Sequence, residues 1–550
     1  SQEKLALLRS ALKQYQGIFR RHQILGTKNG VVVIDDYAHN PAKCAAAISA
    51  CHPLAPKVIA WFQPHGYKPT RFLRTDFVES IAKALRPGDE IWMSEIYYAG
   101  GTAVKDISAG DLIQDLNLLG ANAYFIEDRS QFTDAVRSHL TNECVLLLMG
   151  ARDPSLEDFS KEVFTASNRA EARRIASQSF VLLKNNNVLP IAAGKKIALV
   201  GPLANAKENM TGTWSVGADN SKSISLLKGL TDAIGNNGKL VYAMGSNLED
   251  DLEMQKRQTL FEKDIARDNR SADAMIQEAL AISADADVIV AALGEGAESS
   301  GESASKSNID IPEAQKRLLK ALVATGKPVV LVLFNGRPLT LNWENENVPA
   351  ILDVWFAGSE AGDAIADALL GKVNPSGKLS MSFPQNVGQI PLYYNHKNTG
   401  RPLTGKWFSK FQSNYIDVSN EPLYPFGFGL SYTNFEYGAI QLSSKQLKGN
   451  QKLRVTIPVK NIGQYAGKEV VQLYIRDEVG TITRPVKELK GFEKIELAAG
   501  ETKEVVFEIT TELLKFYNSD LKFDWESGDF QIMIGPNSRD VQAVKVNWVK

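Results

Sequence analysis

Asp287-Val-Ile-Val-Ala-Ala-Leu293, running straight into Gly294-Glu-Gly-Ala-Glu-Ser-Ser-Gly-Glu-Ser-Ala-Ser-Lys-Ser-Asn-Ile-Asp-Ile-Pro312, sets the fold class of this chain. The first part is an unbroken apolar run of strand length, the pattern of a parallel strand buried on both faces. The second part is a Gly/Ser loop carrying Glu295, Glu298 and Glu302. In α/β sheets ligands collect at the carboxyl ends of the strands. Carboxylates on a loop held by a rigid strand can move protons. Most glutamates in polar loops are solvated charge and nothing more, so the weight of this loop depends on the chain around it. A dinucleotide-binding reading of Gly294-x-Gly296-x-x-x-x-Gly301 is excluded: the third glycine is too far on, and carboxylates occupy the place of the pyrophosphate.

Outward from that strand the same pattern repeats. Lys196-Ile-Ala-Leu-Val200, Lys239-Leu-Val-Tyr-Ala243, Pro328-Val-Val-Leu-Val-Leu-Phe334, Ala350-Ile-Leu-Asp-Val-Trp-Phe356 and Lys378-Leu-Ser-Met-Ser-Phe383 read as further strands. Helical segments lie between them. The series opens with a helix over 169–183 capped by Asn168. With Asp287–Leu293 these form one αβα sandwich over residues 166–440.

Before it, residues 1–165 read as a separate α/β domain. An amphipathic helix, SQEKLALLRSALKQYQ, ends near Gly26. Strands follow at 30–36, 57–62, 90–93, 123–126 and 144–149, with a helix started by Pro41 after an Asn40 N-cap and another over 76–85. Asp35, Asp36, Tyr37, His39, Asn40, His65, Arg71, Arg152 and Asp153 follow the strand ends and form a polar rim suited to an anion or nucleotide. After the sandwich, residues 441–550 alternate with period two at 452–460, 469–475, 503–509 and 530–534, separated by turns. This is an all-β sandwich.

The bulk numbers narrow the function classes. A chain of 550 residues holds two to four domains. Net charge is −1, which offers no electrostatic footprint for nucleic acid or an anionic membrane. No apolar run is long enough to span a bilayer. The 3 cysteines, Cys44, Cys51 and Cys144, form no disulfide framework and fit a reducing compartment for the first third. No His/Cys pair has zinc-ligand spacing, so no metal site is expected.

Two resemblances emerge. Tyr15-Gln-Gly-Ile-Phe-Arg-Arg-His-Gln-Ile-Leu-Gly26, Asp35-Asp-Tyr-Ala-His-Asn-Pro41, Phe62-Gln-Pro-His65 and Gly150-Ala-Arg-Asp153 resemble the C-terminal domain of Mur ligases of the UDP-N-acetylmuramate–alanine ligase type. The resemblance implies a domain that closes over ATP and the amino-acid acceptor, with Tyr37, His39 and His65 facing ligand, and a cytoplasmic setting. The chain departs from it in two ways. Gly66 and Pro69 stand where arginines are usual. No Gly-x-x-x-x-Gly-Lys-Ser/Thr phosphate loop exists; Gly371-Lys-Val-Asn-Pro-Ser-Gly-Lys-Leu379 is the nearest approach and has Leu where the magnesium-binding hydroxyl belongs. ATP and Mg2+ are expected only if ligase chemistry survives, and the second departure argues that it does not.

Further along, Ala176-Ser-Gln-Ser-Phe-Val-Leu-Leu-Lys-Asn185, Thr211-Gly-Thr-Trp-Ser215, Asn335-Gly-Arg-Pro338, Val354-Trp-Phe-Ala-Gly358, Asn374-Pro-Ser-Gly-Lys-Leu379 and Tyr424-Pro-Phe-Gly-Phe-Gly-Leu-Ser-Tyr432 follow one another in a fixed order. They resemble the C-terminal part of glycoside hydrolase family 3 β-glucosidases of the bacterial periplasmic type. Thr483-Arg-Pro-Val-Lys-Glu-Leu-Lys-Gly-Phe-Glu-Lys494 resembles their fibronectin type III-like domain, whose default role is buttressing. The resemblance implies retaining hydrolysis of a β-glucoside or small oligosaccharide without a cofactor. Glu302 then takes the general acid/base role; Glu298 and Glu295 stay as alternatives because such loops vary in length. Lys306 would hold the loop or tune Glu302, or be a solvated lysine. Trp214 would stack on a sugar face, or anchor a packed loop. The nucleophilic Asp of this family belongs to a (β/α)8 barrel. No barrel segment is legible in these residues, so partial or absent activity is expected unless a barrel acts in trans.

Overall fold

The computed structural model describes residues 21–28, 30–97, 104–150, 156–215, 218–235, 238–258, 266–403 and 408–550, with the backbone alone for 28 and 156–167. The expected opening helix over residues 1–20 lies outside the described residues, as do Ala151, Arg152 and Asp153. Two compact units divide the chain, Ser1–Glu171 and Ala172–Lys550.

In the first unit a six-stranded sheet runs β1 (Gln23–Lys28), β2 (Val31–Asp36), β6 (Cys144–Gly150), β3 (Lys57–Gln63), β4 (Glu90–Ser94) and β5 (Asn122–Ile126). All neighbours are parallel except β1, which pairs antiparallel to β2 at the edge. The opening helix expected to end near Gly26 is therefore wrong over Gln23–Gly26, which lie in the edge strand β1; an interior glycine costs a helix about 1 kcal/mol relative to alanine. The helix Pro41–Cys51 starts where expected, with the Asn40 side chain accepting from the Lys43 N–H at 3.0 Å. Adjacent residues of β3 point to opposite faces, Val58, Ala60 and Phe62 into one apolar cluster and Ile59 and Trp61 into another.

The second unit carries a second six-stranded sheet, in the order β7 (Val181–Asn185), β12 (Ala350–Asp353), β11 (Val329–Phe334), β10 (Val288–Gly294), β8 (Lys196–Val200), β9 (Lys239–Ala243). Only β7, at the edge, is antiparallel. The strand read first in the sequence, β10, lies between β8 and β11 and is buried along its whole length. Val288, Val290 and Ala292 face a cluster that includes Leu230 and Ile365 of the helices Leu226–Ile234 and Ala361–Leu369. Ile289, Ala291 and Leu293 face Ala279 and Leu318 of the helices Ala272–Ser283 and Glu313–Ala324. A strand buried on both faces cannot alternate apolar with polar, which is why it reads as a continuous run.

Two assignments around this sheet are corrected. The helix capped at Asn168 instead runs over Leu156–Ser179, because no Gly or Pro interrupts those residues and an interior Asn costs under about 1 kcal/mol. It also stops earlier than expected, since Val181–Asn185 is the edge strand β7. Lys378–Phe383 is not a strand of the sheet. Its backbone bonds instead with residues 424–428: Leu379 N–H to Phe428 O, and Phe383 N–H to Tyr424 O, both at 2.8 Å.

The C-terminal part is a two-sheet all-β sandwich. One sheet contains Phe435–Tyr437, Leu453–Asn461, Gln441–Leu442 and Thr502–Ile509; the other contains Gln446–Lys448, Gln542–Val549, Gly528–Gly535, Gly467–Asp477 and Glu488–Leu497. Trp548 and Phe530 fill its core. The buried Lys378–Glu469 ion pair, 3.1 Å, ties it to the αβα part. A (β/α)8 barrel is not among the described residues.

Candidate active site

The loop after β10 begins with a forced turn. Gly294 has φ +136°, and a Cβ there would sit 1.9 Å from the Phe334 carbonyl oxygen, so only glycine fits. The buried Gln315 side chain grips that residue from both sides. Its Oε1 accepts the Gly294 N–H at 2.8 Å, and its Nε2 donates to Gly294 O at 2.9 Å. The strand end is thereby fixed, and Glu295 points inward.

Glu295 is fully buried. Its two oxygens are taken by Lys306 Nζ at 2.9 Å and Arg337 Nε at 3.2 Å. Arg337 reaches further, donating to the carbonyl of Ala304 at 2.7 Å and to that of Ser299. One guanidinium therefore ties the first residue of the loop to both of its later legs. Ala297 N–H donates to Asn209 Oδ1 at 2.7 Å, and Glu298 accepts from Thr213 Oγ1 at 3.0 Å. Beyond the tip, Asp310 is paired with Lys316 at 3.1 Å and bonded to Thr340.

Between these anchors the apex is bare. Gly301 (φ +136°) lies against Thr213, and Ser303 takes φ +56°. Glu302 between them is exposed and makes no hydrogen bond or ion pair among the described residues. The three glutamates thus have different environments: one locked beneath the loop, one half-buried on a hydroxyl, one open. Only a carboxyl that can reach solvent and substrate can shuttle a proton without breaking an ion pair.

Trp214 is 72% exposed, so it is not a packed loop anchor. Its chain neighbour Thr213 donates to Glu298 and lies against the Gly301 turn. The 354–358 segment closes the edge. Phe356 packs over Gly212 and Gly336, Thr211 bridges Ala357, and a Cβ on Gly336 would meet Ser300 Oγ at 1.9 Å. Four segments far apart in sequence therefore meet at the carboxyl edge of one sheet. Beneath it, burial pushes the Asp353 carboxyl well above the usual carboxylate range.

Arg337 and Gln315 carry roles that the sequence reading did not assign. The signal for Arg337 was its place directly after a buried strand, in Asn335-Gly-Arg-Pro338. Lys306 is neither solvated nor aimed at Glu302; its ammonium is held by Glu295.

In the first unit the structure also brings distant residues together. The Tyr37 and His39 rings lie 5.4 Å apart, and the His39 and His65 rings 5.8 Å apart. His39 Nδ1 is 2.8 Å from Tyr37 O, and the Arg21 guanidinium sits 4.8 Å from the Tyr37 ring centre. Among the described residues no cluster of three or more His, Cys, Asp or Glu could hold a metal ion, and no helix is long and apolar enough to cross a membrane.

Residues 180–432 match the glycosyl hydrolase family 3 C-terminal domain, residues 469–538 the fibronectin type III-like domain, and residues 20–152 the Mur ligase, glutamate ligase domain. A periplasmic β-glucosidase of Salmonella typhimurium is 46% identical over 376 residues, 68% of this chain and 49% of that protein. A β-xylosidase of Formosa agariphila is 36% identical over 416 residues, 74% of this chain and 54% of that protein. A solved β-glucosidase from Listeria innocua in complex with glucose is 32% identical with a TM-score of 0.62, covering 89% of this chain and 71% of that one. The chain spans about half the length of the curated relatives it matches.

Proposed function

The chain belongs to glycoside hydrolase family 3 by its C-terminal domain, and we propose that it supplies the proton-transfer part of a retaining β-glucosidase. Glu302 protonates the leaving glycosidic oxygen, then takes a proton from the water that releases the sugar. Trp214 offers its ring face to the substrate. The second carboxylate, the nucleophile, belongs to a (β/α)8 barrel placed so that the two carboxyls lie roughly 5–5.5 Å apart. The substrate is a terminal β-linked glucose or a near relative, and two carboxylates need no cofactor. The relative from Salmonella typhimurium is named as periplasmic, and the same compartment is proposed for this part of the chain.

The observation that carries this reading is the contrast within one loop: Glu302 exposed at an apex whose base is locked by Glu295, Lys306 and Arg337. The test is hydrolysis of 4-nitrophenyl β-D-glucoside by the chain with the barrel domain of a family 3 relative added in trans. Turnover that falls by about 10²–10⁴ in Glu302→Gln supports the role. Turnover unchanged in that variant, or carried by the 550-residue chain alone, refutes the proposed division of labour.

The Tyr37–His39–His65 cluster favours a second reading for the first unit, as a nucleotide-binding module of Mur-ligase type. Calorimetric titration with ATP and with a UDP-muramoyl ligand tests it, and no heat from either ends it.

A further inference from the structure

Two strands of the all-β part, Gly467–Asp477 and Glu488–Leu497, pair antiparallel, with Tyr474 opposite Leu489 and Ile475 opposite Glu488. Continuing that register by one step sets Arg476 opposite Lys487. Residues directly opposite in such a pair have Cβ atoms about 4.5–5.5 Å apart, and like charges there are destabilising. Ile475 faces the core, so alternation puts Arg476 on the other face, with Tyr474 and Gln472. That face lies at a seam with residues 394–397. The Tyr394 hydroxyl accepts the Leu489 N–H at 3.3 Å, the Val486 N–H donates to His396 O at 2.9 Å, and Lys397 bridges Pro485. The backbone at Lys397 therefore runs beside Pro485, and its ammonium is a third cation at the seam.

These cations lack matching anions. Among the described residues Arg476 and Lys397 make no ion pair and no side-chain hydrogen bond, and Lys487 donates only to the carbonyl of Ser538. The carboxylates along the two strands are engaged elsewhere: Glu478 accepts from Gln531 at 2.8 Å and from Lys545 at 2.9 Å, and Glu488 from Arg484 at 2.8 Å. Asp477 points to the core side, 3.9 Å from Arg484. Burial holds the Lys487 ammonium below its usual range; Glu421 opposes that shift and Arg476 adds to it. Glu421 is exposed and makes no ion pair with Lys487 among the described residues. Three cations thus stand against one carboxylate, and the excess of two positive charges matches a phosphate group, which carries about −1.5 to −2 at pH 7. The half-buried guanidinium offers the planar fork that suits two phosphate oxygens. A like-charge pair that works against its own sheet is the kind of local conflict found at functional sites.

We propose that the Arg476–Lys487 seam, with Lys397, binds a phosphate-class oxyanion, either inorganic phosphate or the phosphate group of an ester. Nothing in this site depends on the role of Glu302.

Calorimetric titration of the full chain in phosphate-free buffer at low ionic strength tests it. Inorganic phosphate and glucose 6-phosphate should bind with a Kd on the order of 1 mM. Glucuronate, with one negative charge, should bind about tenfold more weakly or not at all. Equal affinity for the two phosphate probes assigns the site to the phosphate group alone, and tighter binding of glucose 6-phosphate assigns it to an ester. Arg476→Gln and Lys487→Gln should each raise the Kd by about tenfold or more, and Arg476→Lys should recover only part of the affinity. Lys545→Gln is the control, because that ammonium is already held by Glu478 and Asp529; its Kd should stay within about twofold of the parent chain. Without phosphate, the urea midpoint of Arg476→Gln should equal or exceed that of the parent chain, since Lys487 loses a like-charged neighbour. A lower midpoint would assign the guanidinium to the fold and overturn the site. No heat from either phosphate probe, glucuronate bound as tightly as phosphate, or a Kd unchanged in both Arg476→Gln and Lys487→Gln also overturns the proposal.

Discussion

Arg337→Ala isolates what holds the Glu302 loop. The guanidinium contacts Glu295, Ser299 O and Ala304 O, while its side chain is 19% exposed and the Glu295 side chain 0%. Removing it leaves Glu295 with Lys306 alone, and leaves two carbonyls without their donor. A hydrogen bond to a charged group contributes about 1.5–3 kcal/mol, and breaking a buried ion pair costs about 3–5 kcal/mol. Because Lys306 still compensates Glu295, the lower end applies, about 3 kcal/mol for opening the loop. Local opening governs amide exchange, so the Ala297 and Ser299 amides should exchange about 100-fold faster, at about 1.4 kcal/mol per decade. Hydrogen exchange with mass spectrometry reads this directly, with amides in β10 as internal controls. Arg337→Lys should recover only part of the protection, since an ammonium cannot reach three acceptors in a fork. Unchanged exchange over 297–304 in Arg337→Ala would refute the idea that the ion cluster secures the loop.

Other perturbations follow from the same contacts. Leu293→Ala, in a fully buried strand, should lower unfolding free energy by about 2–5 kcal/mol in urea titration. Trp214→Ala should leave that midpoint within about 0.5 kcal/mol, because the indole is exposed, while weakening glucoside binding measured by calorimetry. Asp477 in the all-β part is pushed up from 3.8 to about 6, chiefly by burial. Its proton is held more tightly in the folded state, so its contribution is fully present below pH 3.8 and is lost as pH rises through about 6. Between pH 4 and pH 7 the chain should therefore lose about 2.4 kcal/mol more stability than Asp477→Asn; parallel urea curves for the two would contradict this.

The fold was most legible where burial is two-sided. β10, β11 and β6 stand out because nothing polar interrupts them. Edges were less legible. β1 and β7 pair on one side only, and their short runs were absorbed into neighbouring helices. Lys378–Phe383 has the residue types of a strand, but its partner is a loop at 424–428, a long-range choice that local pattern does not encode. In the site, the loop and its three glutamates could be read in sequence. Their sorting could not, because it depends on Lys306 and Arg337 folding back onto Glu295 from 11 and 42 residues away. The Arg476–Lys487 pair was equally hidden, since the two become neighbours only when Gly467–Asp477 pairs with Glu488–Leu497.

The central claim is that Glu302 transfers the proton to the leaving group, and the leaving-group dependence of hydrolysis tests it most directly. With the barrel present, Glu302→Gln should lose about 10²–10⁴ in turnover on phenyl β-D-glucoside, whose poor leaving group needs protonation. On 2,4-dinitrophenyl β-D-glucoside, whose leaving group needs none, glycosylation should be nearly unaffected. An equal loss on both substrates, or no loss on either, would contradict the account.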